Sequence, residues 1–205
     1  MSQSAVPTKP VVTLFEQYGA GADYIGPKLA ERFGVQYVGY RWSSEELEQL
    51  HATPAEEQTA FDRFMVAAGR GAEPGESTPV HLFQMADNEA VNANSAELNA
   101  MAAKGLVVLG HNATVILADH PGALHVKLDG PAERRVAYAA AATGIDQAHA
   151  ARRLAREDRV RAEFSLALYG WDPRTNDRYH LVVNTSLFGV DDAVRIILAA
   201  RERVS

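Results

Sequence analysis

The sequence predicts an α/β fold with a doubly wound parallel sheet of five strands, and three observations support this. Five short apolar runs alternate with segments of helical periodicity along the 205 residues. The chain opens with a strand, a glycine-rich turn, a helix and a second strand, a βαβ unit that implies a parallel pair. A chain of this length suits one domain, with room for a small inserted subdomain.

The first βαβ unit is clear in the residue pattern. A buried strand is predicted at Val11–Phe15 and a second strand at Val35–Tyr40. Between them, a helix is predicted from about Asp23 to Phe33, because apolar residues recur there every four positions, at Ile25, Leu29 and Phe33. Gly34 fits the position just after the C-terminus of this helix.

The later elements alternate in the same way. Helices are predicted over residues 87–104, 131–144, 146–168 and 190–203, and strands over 106–109, 124–128 and 180–184. Doubly wound sheets bind ligands at the carboxyl ends of their strands. The candidate site therefore lies in the loops that follow Phe15, Tyr40, Leu109, Leu128 and Asn184.

Composition narrows the function classes. The net charge of −6 argues against a nucleic-acid binder, and no apolar run approaches the 18 residues of a membrane span. The chain has no Cys, and its seven His lack metal-ligand spacing, so no metal site is predicted. Residues 1–10 are polar and read as a flexible tail without a signal sequence, so a cytoplasmic location is expected.

The basic residues are unevenly distributed. Residues 131–161 carry seven Arg against four acidic residues, within an otherwise acidic chain. Such a basic island suggests a local anionic ligand. A solvated helix surface, with Glu157 and Asp158 paired to neighbouring Arg, explains the same pattern and stays open.

The first loop has the order of a phosphate cradle, in which backbone N–H groups and a helix N-terminus face an anion. The full motif ends in Gly-Lys-Ser/Thr. In this chain Ala22 stands where Lys belongs, and Asp23 or Tyr24 stands where the magnesium-binding hydroxyl belongs. On its own, this stretch is better explained as a structural turn.

The stretch VVTLFEQYGAGADYIGPKLAERFGVQYV resembles the opening of the cytidylate kinase-like family, whose typical run is a strand, Ser-Arg-Glu-Tyr-Gly-Ser-Gly-Gly-Arg and a helix. The resemblance continues in order and spacing from Val11 to Leu198, and only residues 40–89 match loosely. Its main stretches are Gly105–Leu117, Leu124–Arg135, Ala151–Phe164 and Tyr179–Val194.

The resemblance implies a P-loop nucleoside monophosphate kinase fold and transfer of the γ-phosphoryl group of ATP to a pyrimidine monophosphate. It implies ATP and Mg²⁺ as cofactors and a nucleotide or other phosphorylated small molecule as partner. Residues 11–205 would form a single domain. Within it, residues 40–89 would be the helical monophosphate-binding insertion and residues 131–168 the lid region.

The resemblance also assigns residues. The first loop would bind ATP through Gly19, Ala20, Gly21, Ala22, Asp23 and Tyr24, together with Arg134. The monophosphate would contact Tyr40, Arg41, His111 and Asn112. The lid cations would come from Arg134, Arg135, Arg152, Arg153, Arg156, Arg159 and Arg161. The catalytic set would be Arg152, Arg156, Arg159 and Arg161, with Asp158 orienting an arginine or contacting a base. Arg152, Arg156 and Arg159 share one helix face and are expected to face a cleft opposite the first loop.

Three departures from the family pattern stand where phosphates should lie. Glu16, Asp23 and His111 replace family arginines, and no Lys or Arg occurs from Val11 to Pro27. Phosphoryl transfer depends on cations near the phosphate oxygens. The departures therefore predict an impaired or inactive kinase.

Three hypotheses follow. The first is a non-catalytic or strongly impaired relative that binds a nucleotide or another phosphorylated metabolite, which the missing loop cations favour. The second is an active kinase that uses lid arginines in their place. The third is an interaction protein with a vestigial site, which need not have kept the Arg152–Arg161 face. Oligomeric state and protein partners stay open.

Overall fold

The five predicted strands form one sheet in which every pairing is parallel. The computed structural model describes residues 9–40, 46, 49 and 92–204. The strands are β1 Val11–Glu16, β2 Gln36–Val38, β3 Leu106–Leu109, β4 Ala123–Asp129 and β5 Leu181–Asn184. Their order across the sheet is β2-β3-β1-β4-β5, so β1 is central. The prediction of a five-stranded parallel sheet is confirmed.

Helices connect the strands on both faces of the sheet. The helices are α1 Ala22–Phe33, α2 over residues 92–102, α3 Ala113–Ile116, α4 Ala132–Thr143, α5 Gln147–Tyr169 and α6 Thr185–Arg201. Three of them are followed by a glycine in the left-handed conformation, as expected just beyond a helix: Gly34 after α1, Gly144 after α4 and Gly170 after α5. Asp146 caps α5 by accepting a hydrogen bond from the amide of His149 at 2.7 Å.

One predicted boundary was wrong, and one region is not covered. The second strand is shorter than predicted and spans only Gln36–Val38. Helix α6 spans Thr185–Arg201 with a kink at the non-helical Gly189, so the part after the kink begins at Val190, as predicted. The short turn before the kink was not predicted, and it begins where the Asn184 side chain accepts a hydrogen bond from the amide of Ser186. The predicted insertion over residues 40–89 lies almost entirely outside the described residues.

The sheet is buried on both faces, as a parallel sheet requires. All six residues of β1 are buried. One apolar layer joins β1 and β4 to α1 and α6 and includes Val12, Leu14, Val126, Ile25 and Ile197. The opposite layer joins β1 and β3 to α2 and α3 and includes Val11, Val108, Leu98 and Leu117. These layers fix β1 and therefore fix where the first loop emerges. Among the described helices, none is long and apolar enough to cross a membrane.

A polar cluster lies within the second face of the sheet. The imidazole Nδ1 of His125 lies 2.8 Å from Thr13 Oγ1, which is in turn 3.1 Å from Thr114 Oγ1. His125 is 3% exposed, and its ring stacks on that of His180 at 4.8 Å between centroids. Burial, reinforced by His180, lowers the pKa of His125 to about 4.

Protonation of His125 is expected to destabilise the fold. Since the pKa of His125 is lower in the folded than in the unfolded chain, folding stability is lost as pH falls from about 6.5 toward 4. The full loss is about 3 kcal/mol. His125→Asn, which keeps an acceptor for Thr13 but does not titrate, should show a shallower loss. Urea unfolding at pH 7, 5.5 and 4.5 tests this, and equal pH dependence in both proteins would contradict it.

Candidate functional site

The site lies where the carboxyl ends of β1, β3 and β4 meet, around the turn that joins β1 to α1. Gly19 and Gly21 have φ values of 81° and 84°, in the left-handed region. A Cβ on Gly19 would lie 2.4 Å from the backbone oxygen of Arg135, and one on Gly21 would lie 2.6 Å from a methyl of Val190. The turn therefore packs directly against α4 and α6, and both contacts require glycine.

A carboxyl group accepts a hydrogen bond from a backbone amide at the end of this turn. The Glu16 side chain folds back, and its Oε1 accepts a hydrogen bond from the amide of Ala22 at 3.1 Å. Glu16 is 7% exposed. Burial raises the pKa of Glu16 to about 7, although Arg161 and the Ala22 amide oppose that shift. Glu16 thus bonds the kind of helix N-terminal donor that a phosphate loop presents to its ligand.

A second carboxylate reaches the turn from α5. Asp158 Oδ1 accepts from the amide of Tyr18 at 2.7 Å, and Asp158 Oδ2 lies 3.0 Å from Arg135 Nη1. The amide of Ala20 donates to the carbonyl of Gln17 at 3.1 Å, inside the turn. The amides of Tyr18, Ala20 and Ala22 therefore all donate to acceptors within the protein.

Arg135 holds these parts together. It is 5% exposed, and its guanidinium donates to the carbonyl of Gly130 at 2.9 Å and to the carbonyl of Tyr18 at 2.8 Å. It also donates to Asp158 and, at 3.1 Å, to the amide oxygen of Gln17. The resemblance assigned the exposed neighbour Arg134 to ATP binding and placed Arg135 only among the lid cations. The spacing of Arg135 and Ala139, one helical turn apart on the buried face of α4, is the signal that distinguishes the two arginines.

The inner face of α5 is defined by Arg153, Glu157 and Arg161, which lie four residues apart. Glu157 is fully buried, and Arg153 is 3% exposed. Arg161 Nη2 lies 2.7 Å from Glu157 Oε2. The pairing of Glu157 with a neighbouring arginine was one of the two readings of the sequence, but the burial of Arg153 and Glu157 was not predicted. The buried residues Ala150 and Val160 on the same side indicate this inner face.

The predicted catalytic arginines have different surroundings. Arg152 is exposed, Arg159 is half-buried, and Arg156 Nη2 lies 3.9 Å from Glu157 Oε1. Arg161 stacks over the Tyr40 ring at 4.0 Å from its centroid. Of the five residues predicted to act in catalysis, Asp158 contacts the turn directly through the Tyr18 amide, and the charge of Arg161 opposes the rise that burial causes in the pKa of Glu16. A role for Arg152, Arg156 and Arg159 toward a ligand stays a prediction.

The predicted monophosphate side comes together around Tyr40. The hydroxyl of Tyr40 is buried without a hydrogen-bond partner among the described residues, and burial raises its pKa well above the usual value. His111 Nε2 donates to the carbonyl of Gly39 at 2.6 Å, which links the loops after β2 and β3. His111 and Asn112 both have φ values of 55°. Arg41 lies outside the described residues.

The two remaining loop residues point outward. Asp23 and Tyr24 are exposed on the first turn of α1, and the Tyr24 hydroxyl donates to Asp191 Oδ1 at 2.7 Å. Within the part of the chain that the structure describes, no group of three or more His, Asp or Glu side chains could hold a metal ion. The turn has no lysine to offer a bound Mg²⁺-nucleotide, and the Tyr24 hydroxyl is engaged by Asp191.

The model of the cytidylate kinase-like family matches residues 11–187. The chain belongs to this family. Family membership and the parallel sheet together confirm the predicted kinase-like fold. The motif stretches that carried the resemblance all begin within the matched range.

Individual relatives are more distant. A uronate isomerase of Corynebacterium glutamicum is 28% identical over 145 residues, which is 71% of this chain but only 28% of that protein. An uncharacterised protein from Eubacterium ventriosum has a similar structure, with a TM-score of 0.64, 16% identity, and coverage of 95% of this chain and 99% of that chain. A sugar kinase from a Janibacter species gives a TM-score of 0.51 at 13% identity, with 96% of each chain covered. These two likenesses concern the fold alone.

Removing the charge of Glu16 is expected to stabilise the protein above neutral pH. Because the pKa of Glu16 is higher in the folded than in the unfolded chain, its stabilising effect is present below about pH 4.5 and lost as pH rises through about 7. Glu16→Gln keeps an acceptor for the Ala22 amide, so its advantage over wild type should grow by about 3 kcal/mol between pH 4.5 and 8.

Chemical unfolding of both proteins across this range measures the difference. Asp23→Asn is the matched control, because it removes a nearby but exposed carboxylate. A Glu16→Gln curve parallel to that of wild type would contradict the prediction.

Proposed function

We propose that the chain is a nucleotide- or phosphate-binding member of the cytidylate kinase-like family in which ATP-dependent phosphoryl transfer is strongly impaired. The observation that carries the proposal is the buried Glu16 carboxyl, which accepts the hydrogen bond of the Ala22 amide in a loop without lysine or arginine. A carboxyl group stands there in place of the cations that the family reaction uses.

The charges around the loop support impairment. The transferred phosphoryl group needs cations at its oxygens, and loss of one such arginine costs about 10³–10⁵ in rate. The two arginines nearest the turn are already paired within the protein, Arg135 with Asp158 and Arg161 with Glu157. An active kinase that recruits lid arginines would have to break these pairs first.

The residues of the turn do not fit Mg²⁺-ATP. Ala22 offers no ammonium group, and neither Ala22 nor Asp23 offers the hydroxyl that holds Mg²⁺ in phosphate loops. An exposed Asp23 about 4 Å from a phosphate would add repulsion of roughly 4 kcal/mol at an effective dielectric near 20. A bridging Mg²⁺, or a metal ion bound by Asp23 itself, would offset this repulsion.

Binding on the other side of the site is better supported. Arg161 stacks over Tyr40, and His111 donates to the carbonyl of Gly39 beside it. The resemblance assigned Tyr40 and His111 to the monophosphate. The Tyr40 hydroxyl and one Arg161 nitrogen are buried donors without partners in the described chain. Buried donors of this kind call for an acceptor. We propose a pyrimidine nucleoside monophosphate or a similar phosphorylated metabolite, bound with residues 40–89 as an insertion and 131–168 as a lid in a single cytoplasmic domain.

The direct test is a kinase assay with ATP, Mg²⁺ and CMP or dCMP. We expect turnover below about 0.1 s⁻¹, since ordinary kinases reach about 1–100 s⁻¹ and one missing cation costs about a thousandfold. In thermal-shift measurements, CMP or dCMP should raise Tm more than Mg²⁺-ATP does. Turnover of about 1 s⁻¹ or more would contradict impairment. No shift with any nucleotide would instead favour an interaction protein with a vestigial site.

Restoring the loop chemistry should restore ATP binding. The triple variant Glu16→Ala, Ala22→Lys, Asp23→Ser removes the internal carboxyl and adds the missing ammonium and hydroxyl. We expect it to bind ATP at least about tenfold more tightly than wild type, as one charge-assisted hydrogen bond to phosphate is worth about 1.5–3 kcal/mol.

The matched control is the double variant Ala22→Lys, Asp23→Ser, which retains Glu16. Because the Glu16 carboxyl would still accept the hydrogen bond of the amide at position 22, little gain is expected. Calorimetric titration with ATP compares the two variants. If the folded triple variant binds ATP no better than the double variant, Glu16 is not what closes the loop to phosphate.

A further inference from the structure

Asp158 makes two contacts with donors of the kind that bind phosphate. One carboxylate oxygen accepts the Tyr18 amide at 2.7 Å, and the other pairs with Arg135 at 3.0 Å. One of these donors is a loop amide and the other is a guanidinium, the two kinds of donor that bind phosphate oxygens most strongly in proteins. The carboxylate and the phosphate would therefore compete for the same donors.

The surrounding structure holds both partners of the Arg135–Asp158 pair in place. Only 5% of the Arg135 surface is accessible to solvent, and its guanidinium donates to the carbonyls of Gly130 and Tyr18. Asp158 is itself on a 23-residue helix whose N-terminus is capped by Asp146. Breaking the contact would leave a buried guanidinium without its carboxylate, which is costly.

We infer that Asp158 is an internal ligand of the first loop, which latches α5 onto the turn until an external oxyanion displaces it. The inference deepens the proposed function and rests on it only for the class of competing ligand, a phosphate or phosphoryl group. When Asp158 is displaced, the Tyr18 amide and Arg135 become available together to the incoming oxyanion. The Glu16 contact lies at the other end of the turn and is not part of this latch.

The latch can be observed in the wild-type protein without any ligand. By NMR-detected hydrogen exchange, the Tyr18 amide should exchange about 100-fold more slowly than an unprotected amide, because it is held by a charge-assisted hydrogen bond. Exchange at the unprotected rate would overturn the inference. This measurement is independent of catalysis, so measurable kinase turnover would contradict the proposed function while leaving the latch to be judged by Tyr18.

Substitution of Asp158 tests the competition. In Asp158→Ala, the Tyr18 amide should exchange at least about tenfold faster, and inorganic tripolyphosphate should bind about tenfold more tightly than to wild type. Glu163→Gln is the control, since it removes another carboxylate from α5 and should change neither value. Unchanged tripolyphosphate affinity in folded Asp158→Ala would overturn the inference.

Asp158→Asn covers the case in which the alanine variant does not fold. It keeps an oxygen for the Tyr18 amide but loses the charge that pairs with Arg135. We expect a smaller gain in tripolyphosphate affinity, about threefold, because only one of the two contacts is weakened. Affinity equal to or below that of wild type would count against the latch.

Discussion

The guanidinium of Arg135 connects parts of the chain that lie far apart in sequence. Its acceptors are the carbonyl after β4, two residues of the first turn and a carboxylate on α5, at distances of 2.8 to 3.1 Å. Burying a cation is unfavourable unless its N–H groups find acceptors, so these segments must all adopt their positions together. The conformation of the turn and the placement of α5 both depend on this one side chain.

A consequence of this arrangement is that the first loop is complete without a ligand. In a nucleotide-binding loop, amides and cations converge on a space that only phosphate fills. Here the carboxyl groups of Glu16 and Asp158 supply acceptors to the amides of Ala22 and Tyr18. The interactions that stabilise the loop would therefore oppose the phosphate binding that we propose, so stability and that function would be in conflict at this position.

The fold was predictable from sequence because it depends on local periodicity. Short continuous apolar runs predicted the strands, apolar residues every four positions predicted α1, and the βαβ order implied the parallel pairing. The loss of loop cations at Glu16 and Ala22 was also visible in the sequence. The direction in which the Glu16 side chain turns was not, because it depends on packing that no local pattern encodes.

Side-chain partners across long sequence separations were the part that could not be predicted. Arg134 and Arg135 are adjacent in sequence, yet one is exposed and the other is buried and donates to four acceptors. The glycines were also ambiguous. Gly19 is required by close packing against the Arg135 backbone, so its presence is explained without any bound phosphate.

The elevated pKa of Glu16 has a consequence for how this protein would respond to an anion. With a pKa of about 7, the Glu16 carboxyl is close to half protonated in neutral solution. An anion that approaches the turn raises this pKa further, because two like charges are more stable when one is neutralised. Anion binding would then draw a proton from the solvent. Calorimetry in buffers of different ionisation enthalpy would record that uptake, and a proton would then serve in this loop as the neutralising cation that a lysine supplies in others.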